Sequence, residues 1–271
     1  MASASSPIGV FDSGLGGLSV LREIRRILPC EDLIYVADSG YAPYGERPRD
    51  YIDRRTHAMV DFLVSEGVKA VVVACNTATS VSVDGLRARL ELPIVAIEPA
   101  IKPAAAHTQS GVVGVLATTQ TLAGSKFAHL VAEHARDVQV LSQPCPGLVE
   151  RVEAGDLWSE ETRALVERYV PPLITRGADT LVLGCTHYPF VRALVEEVAG
   201  PSVTVIDSAA PVAQQLRRRL ADGGLLRNGT EPGRWWLFTT GLPERVGPVA
   251  RLLLESPVDV RPVTVAGSKI E

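Results

Sequence analysis

The sequence predicts an α/β protein of two similar parallel-sheet units that face each other across a cleft. Three observations point there. Short apolar runs alternate with stretches of helical apolar spacing. The apolar segments are dominated by Val, Leu and Ala, and aromatics make up only 5% of the chain, as suits strands buried beneath helices. The rhythm also occurs twice, with a cysteine at the matching strand end of each copy.

In the first copy, Ile8 to Phe11 is a short apolar run that turns into Asp12-Ser13-Gly14-Leu15-Gly16-Gly17. Leu18, Leu21, Ile24 and Leu28 then recur at helical spacing. Leu33 to Val36 is a second strand. Phe62 and Leu63 close a helix, with Gly67 as its stop signal. Ala70 to Ala74 is a third strand and leads straight into Cys75. A helix to Leu90 and a strand from Pro93 to Ile97 follow.

The second copy is visible in the letters. Ile8 aligns with Val113 and Asp32 with Asp137, both 105 residues apart; Gly67 aligns with Gly177 and Cys75 with Cys185, both 110 apart; Glu98 aligns with Asp207, 109 apart. In the tail, Val212, Leu216 and Leu220 suggest a helix, Trp235 to Thr240 a strand, and Val246 to Leu254 another helix. We read this tail as packing back onto the first unit. That unit is then discontinuous, residues 1–97 with about 209–271, and 98–208 form the second.

Composition narrows the function. A formal net charge of −4 gives no electrostatic footprint for nucleic acid or an anionic membrane. No apolar run approaches the roughly 20 residues a membrane span needs. The first seven residues lack the basic and apolar regions of a signal peptide, so the expected compartment is the cytoplasm. Cys30, Cys75, Cys145 and Cys185 are then free thiols. Cys30 and Cys145 read as small packing residues.

Ligands bind beyond the carboxyl ends of parallel strands. Asp12, Cys75, Thr118, Cys185 and Asp207 all follow strand-like runs. Facing halves would set Cys75 and Cys185 on opposite sides of one cleft. Two thiols on opposite faces of one carbon suit stereochemical inversion: one takes a proton as thiolate and the other delivers one as thiol. A free thiol pKa of about 8.5 needs only a modest shift for that work. Each sulfur also needs a tuning group, and Asp12 and His187 are at hand. The donors Asn76, Thr77 and Thr186 beside the cysteines suit a carboxylate. Asp12 to Gly17 is not a dinucleotide or phosphate loop: it is no GxGxxG, no P-loop Lys follows, and its Asp would repel phosphate.

Phe11-Asp12-Ser13-Gly14-Leu15-Gly16-Gly17, Ala37-Asp38 with Pro43-Tyr44-Gly45, Ala74-Cys75-Asn76-Thr77-Ala78 and Gly184-Cys185-Thr186-His187-Tyr188-Pro189 closely resemble the signature segments of bacterial glutamate racemases. The resemblance runs from Ile8 through Asp207-Ser208-Ala209, with a further echo in Thr239-Thr240-Gly241. Ser39 departs from it, where many family members have Thr. The resemblance implies that Cys75 acts on the α-proton of D-glutamate and Cys185 on that of L-glutamate. Asp12 and His187 assist, one on each side, and Glu153 is a further assisting carboxylate. Substrate contacts fall to Asp12, Ser13, Pro43, Tyr44, Gly45, Asn76, Thr77, Thr118, Thr119, Thr186 and His187. It further implies no cofactor and no metal, a homodimer, and D-glutamate destined for peptidoglycan. Three alternatives stay open on the residues themselves. They are a sister racemase or isomerase acting on aspartate, hydantoins or maleate; a zinc site built from Cys75, Cys185, His187 and Asp12; and a non-catalytic amino-acid binding module.

Overall fold

The computed structural model describes residues 3–265. Among these residues ten strands form two sheets, and every pairing is parallel. The strands are β1 (Ile8–Asp12), β2 (Leu33–Ala37), β3 (Ala70–Val73), β4 (Ile94–Ala96), β5 (Val112–Ala117), β6 (Gln139–Pro144), β7 (Thr180–Leu183), β8 (Thr204–Ile206), β9 (Trp235–Thr239) and β10 (Val260–Pro262). The first sheet runs β10-β9-β2-β1-β3-β4 and the second β6-β5-β7-β8. The order β2-β1-β3-β4 is therefore repeated as β6-β5-β7-β8.

The central strands β1, β2 and β3 are buried at every position, as strands covered on both faces must be. Helix α1 (Leu18–Ile27) turns Leu18, Leu21 and Ile24 inward and leaves Arg22, Arg25 and Arg26 outside. Helix α2 (Arg49–Ser65) ends two residues before Gly67, whose φ of +73° a side-chain-bearing residue adopts only with strain. Gly177, its counterpart, has a φ of +94° and likewise precedes the strand that leads to a cysteine.

The letter-based repeat is correct for β1 with β5 and for β3 with β7, but it slips at the other two pairs. Ile8 pairs with Leu33, whereas Val113 pairs with Val140, not Val138. Val71 pairs with Ile94 and Leu181 with Val205, so this offset is 111 rather than 109. Both slips are of two residues. A shift of two keeps each side chain on its original face, so apolar alternation cannot detect it.

In the tail, the helix Ala209–Asp222 packs against α1, β9 pairs with β2, and the short edge strand β10, which no apolar run announces, pairs with β9. Where the chain crosses between the sheets, the two crossings touch: Ser208 Oγ donates to the Glu98 carbonyl at 2.5 Å. The carboxyl ends of the sheets meet. Ser19 Oγ donates to the Thr186 carbonyl at 2.9 Å, and Thr77 Oγ1 lies 3.0 Å from Thr118 Oγ1. No described helix is long and apolar enough to cross a membrane.

Candidate active site

Asp12 ends β1 and is wholly buried. Its Oδ2 accepts the Gly17 N–H at 2.6 Å and the Thr186 hydroxyl at 3.5 Å; its Oδ1 accepts from Ser13 at 3.5 Å. Burial pushes its pKa up to about 6, against the pull of His187 and the Gly17 N–H.

Cys75 follows β3 and caps helix α3 (Asn76–Arg89), where its sulfur accepts the Ala78 N–H at 3.5 Å. Its Sγ–H donates to Ser13 Oγ, also at 3.5 Å. Burial, reinforced by the Asp12 carboxylate, drives this thiol far up, and the two hydrogen bonds only partly oppose that. Cys75 is thus held as a neutral thiol.

Cys185 follows β7 but meets a different setting. A short 3₁₀ turn, Tyr188–Val191, comes next instead of an α-helix. The sulfur lies 3.6 Å from Nδ1 of buried His187. Nε2 of the same ring lies 2.6 Å from Glu153 Oε1, which also accepts the Leu15 N–H at 2.6 Å. Burial works against a charge on His187, but its hydrogen bonds to Cys185 and Glu153 outweigh that and hold its pKa well above the ordinary value. The Gly16 N–H also points at Nε2, at 3.2 Å. A protonated Nε2 cannot accept it, so the two contacts belong to different ring states, and the shorter one to Glu153 fits the imidazolium.

Two hydrogen-bonded groups thus stand here, Asp12, Ser13, Cys75 and Thr186 in one and Cys185, His187 and the part-buried Glu153 in the other, and the N–H groups of Leu15, Gly16 and Gly17 reach to both. Asn76 is buried beside them, and its Oδ1 has no hydrogen-bond partner. Thr77 and Thr118 close a second side, where Thr118 also caps a short helix by accepting the Thr121 N–H at 3.3 Å. Pro43, Gly45, Thr118, Thr119 and Cys145 border a small cavity. Thr119 is at the rim, exposed, with its hydroxyl 3.5 Å from Glu46. Tyr44 is buried and its hydroxyl donates to Asp38 at 2.5 Å, so that proton is already committed within the protein. Among the described residues, no group of three or more His, Cys, Asp or Glu is arranged to hold a metal ion.

Sequence reasoning missed the part played by the glycines. A Cβ on Gly14 would sit 2.1 Å from Glu153 Oε1, and one on Gly16 would sit 2.3 Å from His187 Nδ1. The loop is glycine-rich so that the Cys185-side residues can lie against it. It also missed Asp38, Arg55 and Thr240. Asp38 and Thr240 stand in family-like segments that imply no role for them, and Arg55 sits in Arg54-Arg55, which looks like any solvated helix face.

The family model for Asp/Glu/hydantoin racemases matches residues 8–216. Glutamate racemase from Pseudomonas aeruginosa is 52% identical over 267 residues, covering 98% of this chain and 100% of that protein. Among solved structures, a glutamate racemase isoform from Bacillus anthracis superposes with a TM-score of 0.89 at 34% identity, over 96% of this chain and 97% of the other. The Escherichia coli glutamate racemase, solved with L-glutamate and the activator UDP-MurNAc-Ala, gives 0.84 at 32% identity, over 97% and 100%. The chain belongs to the Asp/Glu/hydantoin racemase family and is an isomerase of the amino-acid racemase kind.

Proposed function

We propose that the protein interconverts L- and D-glutamate by cofactor-independent proton transfer between two thiols. The observation that carries this reading is the unlike setting of the two sulfurs. Cys75 is a neutral thiol beside Asp12 and Ser13, while Cys185 faces a His187 whose other nitrogen is anchored by Glu153. Racemisation needs one sulfur to accept and the other to donate, and such asymmetry supplies both roles at once. With L-glutamate bound, Cys185 takes the α-proton and Cys75 delivers its own to the opposite face. The sulfurs end with their protonation exchanged, and Asp12 and His187 return the protons through solvent. For D-glutamate the roles reverse.

Ser13, Asn76, Thr77, Thr118 and Thr186 offer donors for the substrate carboxylates, and Pro43, Tyr44, Gly45 and Thr119 shape the rim. We read residues 1–97 with 209–271 as one domain and 98–208 as the other, the substrate lying between them. The assignment extends to a cytoplasmic homodimer that supplies D-glutamate for peptidoglycan.

The test is proton NMR of the EDTA-treated protein with L-glutamate in D₂O and no added cofactor. Newly formed D-glutamate should carry deuterium at Cα while the remaining L-glutamate keeps its α-proton. Early deuterium in the recovered L-glutamate would argue against two separate bases. No exchange with glutamate, but exchange with aspartate, would move the substrate assignment.

A further inference from the structure

A second buried polar centre lies behind the rim loop, outside the cysteine cluster. Asp38 follows β2 and is fully buried. Its carboxylate accepts four hydrogen bonds, two on each oxygen. Arg55 of α2 donates from Nε at 2.9 Å and from Nη2 at 2.7 Å, Tyr44 donates at 2.5 Å, and Thr240 at 2.7 Å. Helix α2, the loop that follows Asp38 and the stretch after β9 therefore meet on one side chain, and its acceptor capacity is filled. Arg55 is 3% exposed and stacks on the Tyr41 ring at 3.6 Å. Thr240 also accepts the Gly40 N–H at 3.1 Å, which pins the start of the same loop. The Asp38 N–H in turn donates to the Asp12 carbonyl at 3.0 Å.

Stability alone does not explain this ion pair. Burying a guanidinium and a carboxylate costs desolvation that their attraction only just repays. Arg55 Nη1 is moreover buried with no hydrogen-bond partner, which adds to that cost. What the pair supplies is geometry, because a bidentate fork fixes the carboxylate plane and so the direction of the Tyr44 hydroxyl. Tyr44 precedes Gly45, which packs against Thr118 and whose carbonyl accepts the Gln120 N–H at 3.3 Å.

The geometry points to Arg55 and Thr240 as positioning residues for substrate binding, acting through Asp38 on the Pro43-Tyr44-Gly45 loop. This rests on the racemase reading for the identity of the substrate. Arg55→Lys keeps the charge and loses the fork. It should raise KM for both enantiomers about fivefold or more, the worth of one well-placed hydrogen bond, with kcat changed less than about twofold. Thr240→Val should move KM in the same direction by less. A merely structural role predicts the opposite split, since loss of folded enzyme lowers the apparent kcat and leaves KM alone. Glutamate affinity measured by calorimetry carries the test independently of turnover, and Kd should rise in step with KM. Combined with Tyr44→Phe, Arg55→Lys should give a KM effect smaller than the product of the two single effects. Unchanged KM and Kd in both Arg55→Lys and Thr240→Val would overturn the inference. A wild type that binds glutamate without interconverting it would instead overturn the racemase reading alone.

Discussion

Nδ1 of His187 lies 3.6 Å from the Cys185 sulfur, while Nε2 of the same ring is held 2.6 Å from Glu153. On the two-thiol reading proposed above, the first contact delivers or receives the proton and the second fixes the ring. Replacing His187 by Asn should lower turnover about 100-fold, at the lower end of what a positioned acid–base group contributes. L- and D-glutamate have equal free energies in water, so kcat/KM must fall by the same factor in both directions. The asymmetry should appear in isotope effects. With His187→Asn the Cys185 step becomes slower, and the α-deuterium effect should grow from L-glutamate and shrink from D-glutamate. Asp12→Asn should give the reverse. Equal effects from both enantiomers in both variants would break the pairing of each assistant with its own cysteine.

Asp12 should trade stability for function. Its folded-state pKa of about 6 lies above the ordinary value of 3.8, so the folded protein holds that proton more tightly than the unfolded chain does. Stability from this group is therefore greatest below pH about 4 and falls as pH rises to about 6, by roughly 3 kcal/mol in all. Asp12→Asn removes the buried charge and still accepts from Gly17. The variant should melt higher than wild type at pH 7.5, with the gain gone near pH 4. The wild-type kcat/KM profile should lose activity on the acid side with a midpoint near 6, and that limb should vanish in the variant.

Much of this was legible in the sequence, for identifiable reasons. Strand ends are marked by a change from Val-rich runs to Asp, Cys or Thr, so Asp12, Cys75 and Cys185 were visible as groups at a sheet edge. What periodicity cannot reveal is anything invariant to a two-residue shift, hence the slipped offsets at β2/β6 and β4/β8. It also cannot reveal meetings between remote segments. Glu153 reaches Leu15 across 138 positions and Thr240 reaches Asp38 across 202. The different surroundings of the two cysteines were hidden as well. Cys75 caps an α-helix and Cys185 does not, although the letters after each look alike.

A buried ion pair far from the cleft should behave in the opposite way to Arg55. Lys69 and Glu31 are almost wholly buried and lie 2.5 Å apart, and Lys69 also donates to the Ala4 carbonyl at 2.6 Å. Lys69→Met strands the Glu31 carboxylate and should cost about 3–5 kcal/mol in urea unfolding. Adding Glu31→Gln should recover part of that loss, because the amide still accepts from the Arg227 N–H. KM for both enantiomers should stay at the wild-type value throughout. A raised KM would show that this end of the sheet is coupled to the cleft.

Two glycines should fail for opposite reasons. Gly67 has a φ of +73° and open space where a Cβ would go. Gly67→Ala should therefore cost about 1 kcal/mol of stability through backbone strain and leave the kinetics untouched. Gly16 has no such backbone constraint, but its Cβ would fall 2.3 Å from Nδ1 of His187. The ring must then shift from its seat beside Cys185, and a misplacement of about 1 Å is enough to cost some 100-fold in rate. Gly16→Ala should thus lower kcat/KM on that scale while its melting temperature stays within a few degrees of wild type, since the alanine also restricts the unfolded chain. Normal turnover in Gly16→Ala would mean that His187 keeps its function without contact with the glycine loop.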